Sequence, residues 1–341
     1  MRIAQIAPPW LTVPPSGYGG VEAVVGTLTE ALVQRGHDVT LFASGPSTTR
    51  ARLRSYYDQP LGTAAGYDNP LLALPHVLEA YACAGEFDVI HDHTFPIGPA
   101  LGAMLARPPV VHTVHTPPDN PRALGTYGLL HRRIALVASC EAQRRSRPDL
   151  VFAATIHHGI EVEKFPEGSV KDDFLLFVGR MSPKKGAHLA VAAATRLGRR
   201  LIVATKMTDP VEVSYFEESV VPLLTEGVTV LPEVDRASLA SLYRDAACLL
   251  APFQWSEPFG LAMVEAMACG TPVVALRAGA APEIVEHGVT GFVADDLEEF
   301  IGFIARTSEL DPVACRRRVE ARFSADRMVD AYEALYSRIV N

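Results

Sequence analysis

The sequence predicts an α/β protein of two doubly wound domains, and three observations predict it. Short apolar runs alternate with helical patterns along most of the chain, the second half repeats the order of the first, and 341 residues suit two cores better than one. Apolar runs bounded by Gly, Pro or polar residues mark strands buried on both faces, as a parallel sheet covered by helices requires.

Residues 2–7 (RIAQIA) read as a buried first strand, followed by a Pro/Gly loop over 8–20 and a helix over 21–35 that Gly36 stops. Residues 38–43 complete a βαβ unit, and further strands are expected at 87–91, 110–114 and 150–153. The polar stretch 161–173 reads as a linker. A second run begins at 174–178 (FLLFV), with strands at 200–204, 228–231, 247–251, 272–275 and 291–293. The last helix, over 323–340, carries one apolar stripe at Met328, Ala331, Tyr332, Leu335, Tyr336 and Ile339. The expected organisation is a domain over 1–165, a second over 170–322, and a helix over 323–341 that packs back on the first. Two such sheets facing each other leave a cleft at the carboxyl ends of their strands, where doubly wound sheets bind ligands.

Composition excludes some partners. A formal net charge of -8 argues against nucleic acid, which needs a basic face. The basic runs Arg132-Arg133 and Arg144, Arg145, Arg147 are short and read as solvated helix faces, with at most weak membrane contact. The N-terminus lacks the long apolar region of a signal peptide, and no stretch approaches about 18 uninterrupted apolar residues, so a cytoplasmic protein is expected. Cys83, Cys140, Cys248, Cys269 and Cys315 are scattered without metal spacing and read as reduced, mostly buried thiols.

The strongest constellation lies at 251–274 (APFQWSEPFGLAMVEAMACGTPVV). A strand ends at Ala251, a loop carries Glu257, and a helix opens near Gly260 or Leu261 and stops at Gly270. The opening turn of that helix exposes backbone N–H groups and, with the helix dipole, seats a diphosphate. Gly260 removes a side chain where phosphate or sugar approaches the backbone. Glu265, about one turn further in, suits the two hydroxyls of a ribose, and Glu257 suits sugar hydroxyls. The bland alternative makes both glutamates surface residues beside a crossover; strand, loop, helix and Gly270 in register argue against it.

These residues resemble the family 4 glycosyltransferases of the GT-B fold, whose E-x7-E motif reads here as Glu257 and Glu265. The likeness covers nearly the whole chain. Residues 178–186 (VGRMSPKKG) look like the family's first strand and loop of the C-terminal domain, whose Arg and Lys contact the donor diphosphate. That implies Arg180 and Lys185, beside Gly179, as the pair that stabilises the leaving group; a metal-free diphosphate needs such cations. Residues 281–293 and 158–165 also match. The resemblance implies two Rossmann-like domains facing across a cleft, a UDP-, GDP- or other nucleoside-diphosphate sugar as donor, a small-molecule acceptor, and no metal or other cofactor. It further implies retention at the anomeric carbon, by a same-face attack in which the departing phosphate helps take the acceptor's proton. Gly19 and Gly20 match a glycine loop that approaches the donor phosphate and sugar. His93 matches a histidine that contacts the transferred sugar, and His115 looks like a second cleft residue. Phe259, Gly260 and Leu261 belong to the donor loop, and Val234 to the lining of the base.

Within the family, the general likeness is to small members that glycosylate secondary metabolites, as in the avilamycin antibiotic pathway. Two departures stand out. Residues 204–210 (ATKMTDP) replace a glycine-rich turn and bring in Lys206, and His158 replaces an asparagine before Gly159. His91, His93, His112 and His115 also raise a zinc site, but no third ligand follows His91 and His93 at metal spacing. Two competing readings are a GT-B nucleotide-sugar epimerase and a non-catalytic two-domain sugar-binding protein. The Arg180/Lys185 pair argues against the second.

Overall fold

The computed structural model describes residues 1–62, 69–168 and 170–341. They form two compact units, one of Met1–Gly159 with Ala325–Asn341 and the other of Ile160–Ser324.

The first unit runs β1 (Arg2–Ile6), α1 (Gly20–Gln34), β2 (Asp38–Phe42), β3 (Arg52–Arg54), α2 (Leu74–Ala82), β4 (Val89–Asp92), α3 (Ile97–Leu105), β5 (Val110–Val114), α4 (Pro121–Leu130), β6 (Ala135–Ala138), α5 (Glu141–Ser146) and β7 (Phe152–Thr155). Its strands pair in parallel in the order β3-β2-β1-β4-β5-β6-β7. Ile3, Ala4 and Ile6 on β1 and Val89 and Ile90 on β4 are fully buried, so the centre of the sheet is covered on both faces. Helix α1 ends because Gly36 takes φ +84° and its N–H bonds Val33, a left-handed stop that costs a side chain dearly.

The second unit runs β8 (Phe174–Arg180), α6 (Ala187–Leu197), β9 (Arg200–Lys206), α7 (Pro210–Tyr215), β10 (Val228–Pro232), α8 (Arg236–Asp245), β11 (Cys248–Ala251), α9 (Leu261–Ala268), β12 (Val273–Leu276), α10 (Ala281–Ile284), β13 (Gly291–Ala294), α11 (Leu297–Ala305) and α12 (Pro312–Arg322). Its parallel order is β10-β9-β8-β11-β12-β13. The strand order reverses at β1/β4 in one sheet and at β8/β11 in the other, and ligands of such sheets collect at these reversals.

Several expectations are corrected. Strands β3 and β6 are missing from the sequence reading: β3 is three residues with arginine at both ends, and β6 is a four-residue run that starts two residues after Arg133. Strand β7 begins two residues later than expected. Strands β8 and β9 run past their apolar cores, because Gly179 and Arg180 stay in register with Thr205 and Lys206. The supposed linker belongs to the second unit. Arg316 donates to the carbonyls of Phe165 at 2.8 Å and Val162 at 3.3 Å, and Lys171 Nζ donates to those of Arg244 and Cys269 at 2.7 and 3.0 Å. The division therefore falls at Gly159/Ile160, before residue 165.

The last helix, α13 (Ala325–Val340), is part of the first unit and packs on α1. It starts two residues later than expected, because Phe323 is buried in the second unit with its carbonyl accepting from Ile160 N–H. Met328, Val329, Tyr332, Leu335 and Tyr336 form the buried face of α13. Arg35 meets Asp326, Asp330 and Glu333 along its outer side, but these groups are exposed and such pairs stabilise little. Apolar burial thus holds the helix. Leu335→Ala, at a side chain 2% exposed, is expected to cost about 2–5 kcal/mol in urea unfolding; a loss under about 1 kcal/mol would show that the face is not a core.

Candidate donor and acceptor sites

At the β8/β11 reversal, a buried carboxylate collects its neighbours. Glu257, 6% exposed, sits in the loop between β11 and α9. One oxygen, Oε2, accepts from Lys185 Nζ at 2.7 Å and from Trp255 Nε1 at 2.7 Å. Among the described residues no hydrogen bond to Oε1 is found, so that oxygen is left for a further donor. The Lys185 ammonium also lies 5.2 Å from the Phe253 ring centre and 5.4 Å from that of Trp255, close enough for cation–π attraction.

The backbone fixes this arrangement with two glycines. Gly186, at φ +77°, follows the Lys184-Lys185 turn, and a Cβ there would stand 2.1 Å from the Pro252 carbonyl oxygen. Gly279, at φ +53°, lies so close to Glu257 that a Cβ would meet its main-chain oxygen at 2.1 Å. Ala280 N–H then donates to that same oxygen.

Arg180 ends β8. Its Nε donates to Glu212 Oε1 at 2.5 Å, while Glu212 Oε2 accepts from the N–H groups of Thr208 and Asp209. Glu212 is almost fully buried, and Asp209 and Glu212 close a capping box at the start of α7. Lys206 ends β9 in register with Arg180, so the side chains of two cations start from adjacent strand ends.

Helix α9 begins after Gly260, whose φ of +83° is a conformation that favours glycine and which, as N-cap, offers no side chain to the helix's first N–H groups. A Cβ there would stand 2.6 Å from Met263 Cε, a side-chain end that can move, so the positive φ is what calls for glycine. Glu265, one turn in, accepts from Tyr243 Oη at 3.0 Å and faces Arg236 at 3.9 Å. Burial raises its carboxyl above the usual range, against the pull of Arg236 and Tyr243.

The β1/β4 reversal in the first unit is built differently. Gly19 precedes α1 with an extended backbone, and a Cβ there would press on Leu11 and Pro15 at 2.7 and 2.8 Å; Gly20 is the helix's first residue. Asp92 at the end of β4 accepts from Tyr81 Oη, Thr94 N–H and Thr94 Oγ1, each at 2.7 Å, and burial pushes its carboxyl up to about 6. That anchor holds the turn carrying His93. His93 Nε2 is 2.9 Å from Gln5 Oε1, and its Nδ1 is 2.9 Å from His115 Nε2. The His115 ring stacks on His158 at 5.3 Å. His91 lies between Tyr336 and Thr113, and His112 between the Asp92 carbonyl and Tyr127. Among the described residues no three His, Cys, Asp or Glu side chains converge as a metal ion requires.

Comparison with known proteins decides what these two sites belong to. The glycosyl transferases group 1 profile matches residues 160–310, and the glycosyltransferase family 4 profile matches residues 18–168. A D-inositol 3-phosphate glycosyltransferase of Mycolicibacterium smegmatis is 31% identical over 75% of this chain and 68% of its own length. The chain belongs to the group 1 and family 4 glycosyltransferases. A second D-inositol 3-phosphate glycosyltransferase, from Mycobacterium avium, is 28% identical over 94% of this chain and 89% of its own length. Among solved structures, AviGT4, a glycosyltransferase involved in avilamycin A biosynthesis, is 27% identical with a TM-score of 0.74, covering 100% of this chain and 98% of that one. The sucrose-phosphate synthase of Thermosynechococcus elongatus superposes with a TM-score of 0.81 at 23% identity, over 99% of this chain and 98% of that one. Anabaena HepE in complex with UDP and glucose does so at 0.77 and 20%, over 99% of this chain and all of that one. The two parallel-sheet, Rossmann-like units are those of the GT-B fold.

In this glycosyltransferase the residues singled out from sequence fall into groups. Lys185 and Glu257 touch. Arg180 ends the neighbouring strand, and Gly179 packs behind Lys185, with a built Cβ 3.6 Å from Lys185 Cγ. Gly260, Leu261 and Glu265 share one helix start. Phe259 is 2% exposed and packs edge-on against Phe323, so its ring is core. Val234 lies half-buried between β10 and α8, beside Glu233 at φ +53°. His93 is 3% exposed with both ring nitrogens engaged, which makes it a support for His115, the half-buried ring. Sequence reading missed Trp255, Glu212, Tyr243 and Gly279. Of these, Trp255 gave a signal, as an indole two residues from Glu257.

The buried imidazoles carry a pH signature. Burial pushes His76 and His112 down to about 4 and His158 to about 3, so they stay neutral in the fold. Unfolded histidine titrates near 6.5, so below that value the unfolded chain takes up protons that the native one refuses. The stability from each is complete above pH 6.5 and is lost as pH falls toward 4, about 2 kcal/mol apiece by pH 5. Only His188 and His287 lie in the second unit. Amides of β4 and β5 are therefore expected to lose more hydrogen-exchange protection between pH 7 and pH 5 than those of β8 and β11, after correction for intrinsic rates. Equal losses in both units would contradict this assignment.

Proposed function

We propose that this glycosyltransferase moves a sugar from a nucleoside-diphosphate sugar to a hydroxyl of a small molecule, with retention and without a metal. The observation that carries the reading is the grouping of Lys185, Arg180, Glu257 and the start of α9 at the strand reversal of the second unit. Anionic phosphate suits that helix start, and the two cations suit the charge that appears as the anomeric carbon–oxygen bond breaks. Glu257 Oε1 accepts from a sugar hydroxyl, and Glu265 accepts from the ribose. The acceptor oxygen bonds the anomeric carbon on the face the phosphate leaves, and its proton goes to the departing phosphate oxygen.

HepE, which shares the fold, has been crystallised with UDP-glucose, and this supports a nucleotide-sugar donor. The activity named for the mycobacterial relatives makes an inositol phosphate the first acceptor to screen. The likeness to AviGT4 supports a role in secondary metabolism, and a cytoplasmic location belongs to the same proposal.

Thermal-shift screening with UDP, GDP, ADP and TDP tests the donor class: one nucleotide is expected to raise the melting temperature clearly, and no response to any would defeat the reading. Lys185→Ala is expected to lower kcat by about 100-fold or more with a smaller change in donor KM. Because Glu257 loses its partner in that variant, its melting curve must accompany the kinetics. Unchanged kcat would remove Lys185 from the leaving-group role.

A further inference from the structure

A chain of hydrogen bonds leads from the last helix to the one histidine of the cluster that is half-buried. Tyr336, fully buried on α13, accepts from Gln5 Nε2 at 3.3 Å, and its hydroxyl lies 2.6 Å from His91 Nδ1. Gln5 turns its carbonyl oxygen to His93 Nε2, and His93 Nδ1 meets His115 Nε2, both at 2.9 Å.

With the Gln5 amide nitrogen on Tyr336 and its oxygen on His93, each link admits one placement of protons. An amide oxygen only accepts, so His93 Nε2 carries the hydrogen. Burial holds His93 and His115 neutral, so His93 Nδ1 is a bare lone pair and His115 Nε2 must donate to it. Neutral His115 then has an unprotonated Nδ1. On the other branch the Tyr336 hydroxyl, having accepted from Gln5, donates to His91 Nδ1, and His91 Nε2–H donates to Thr113 Oγ1 at 2.7 Å. Of the six ring nitrogens of His91, His93 and His115, only His115 Nδ1 has no hydrogen bond among the described residues.

We propose that Tyr336 and Gln5 are positioning residues that fix the tautomer of His93 and thereby present His115 Nδ1 as an acceptor for a carbohydrate or polyol hydroxyl. This rests on the transferase reading above. A neutral lone pair favours a hydroxyl and repels a phosphate oxygen, so the ligand contacted here is an uncharged part of the sugar or of the acceptor. The flip of this amide would invert the chain, and Tyr336 is the group that meets its nitrogen end, at 3.3 Å.

The test uses the full chain with nitrogen-15 in its histidines and long-range proton–nitrogen correlation at neutral pH, assigned with His93→Gln and His115→Gln. Both rings are expected as single neutral Nε2–H tautomers in the native protein. Tyr336→Phe is expected to give His93 a mixture of tautomers while keeping the native melting temperature within a few degrees. UDP-glucose or myo-inositol is expected to move the His115 Nδ1 resonance where UDP alone does not. A response to UDP-glucose assigns the hydroxyl to the transferred sugar, and a response to myo-inositol assigns it to the acceptor. An Nδ1–H tautomer at His93, an unchanged spectrum in Tyr336→Phe, or a His115 resonance that neither hydroxyl probe moves would each overturn the proposal. Failure to bind any of UDP, GDP, ADP and TDP would instead count against the nucleotide-sugar reading, and the tautomer spectra would still decide the positioning role.

Discussion

One oxygen of Glu257 accepts two donors, and much of the second unit is arranged around that fact. A buried carboxylate without partners is costly, and removing one partner of a buried ion pair typically costs about 3–5 kcal/mol. Lys185 and Trp255 meet that demand at 2.7 Å each. The partners come from different loops, so both loops must be held. Gly186 lets the lysine turn pass against the Pro252 carbonyl, and Gly279 lets another strand-end loop lie on the backbone of Glu257. The same contact that stabilises the carboxylate keeps Lys185 extended over two aromatic rings, ordered in advance of any ligand. Ordering cations beforehand is what electrostatic stabilisation of a leaving group needs, because reorganisation at the moment of reaction would consume the gain.

Arg180 follows the same rule with a different partner. Glu212 spends one oxygen on the guanidinium and the other on two backbone N–H groups, so its own position is set by the start of α7. The turn after β9 therefore seats the carboxylate that holds the arginine, through the N–H groups of Thr208 and Asp209. Lys206, in register with Arg180, adds a second cation at the same end of the sheet.

The fold was largely legible in the sequence because parallel strands buried on both faces leave continuous apolar runs, and Phe174 to Val178 is such a run. Where burial and pairing part company, legibility fails. Arg52 to Arg54 pairs at the sheet edge with no apolar signal, and Gly179-Arg180 continues a ladder after its apolar residues have ended. The donor motif was visible through Glu257, Gly260 and Glu265, which are close in sequence. Glu212 and Gly279 were invisible because their meaning lies in contacts with residues far along the chain, and a lone glutamate or glycine carries no local pattern. At Phe259 the motif gave no hint that the ring itself is buried in the core.

The two strand reversals also differ in electrostatic kind. In the second unit the side chains are charged and paired, Lys185 with Glu257 and Arg180 with Glu212, which suits a ligand that brings negative charge of its own. In the first unit the comparable position is filled by neutral imidazoles, a glutamine amide and tyrosine hydroxyls, with burial keeping the rings uncharged. A charged histidine there would have no carboxylate partner among its hydrogen-bonded neighbours, and desolvation alone would cost several kcal/mol. Ion pairs thus mark the reversal of the second unit, and hydrogen-bonded neutral imidazoles mark that of the first, where Asp92 is the carboxylate. Among such rings the tautomer decides the partner, since a lone pair and an N–H on the same ring atom select opposite partners.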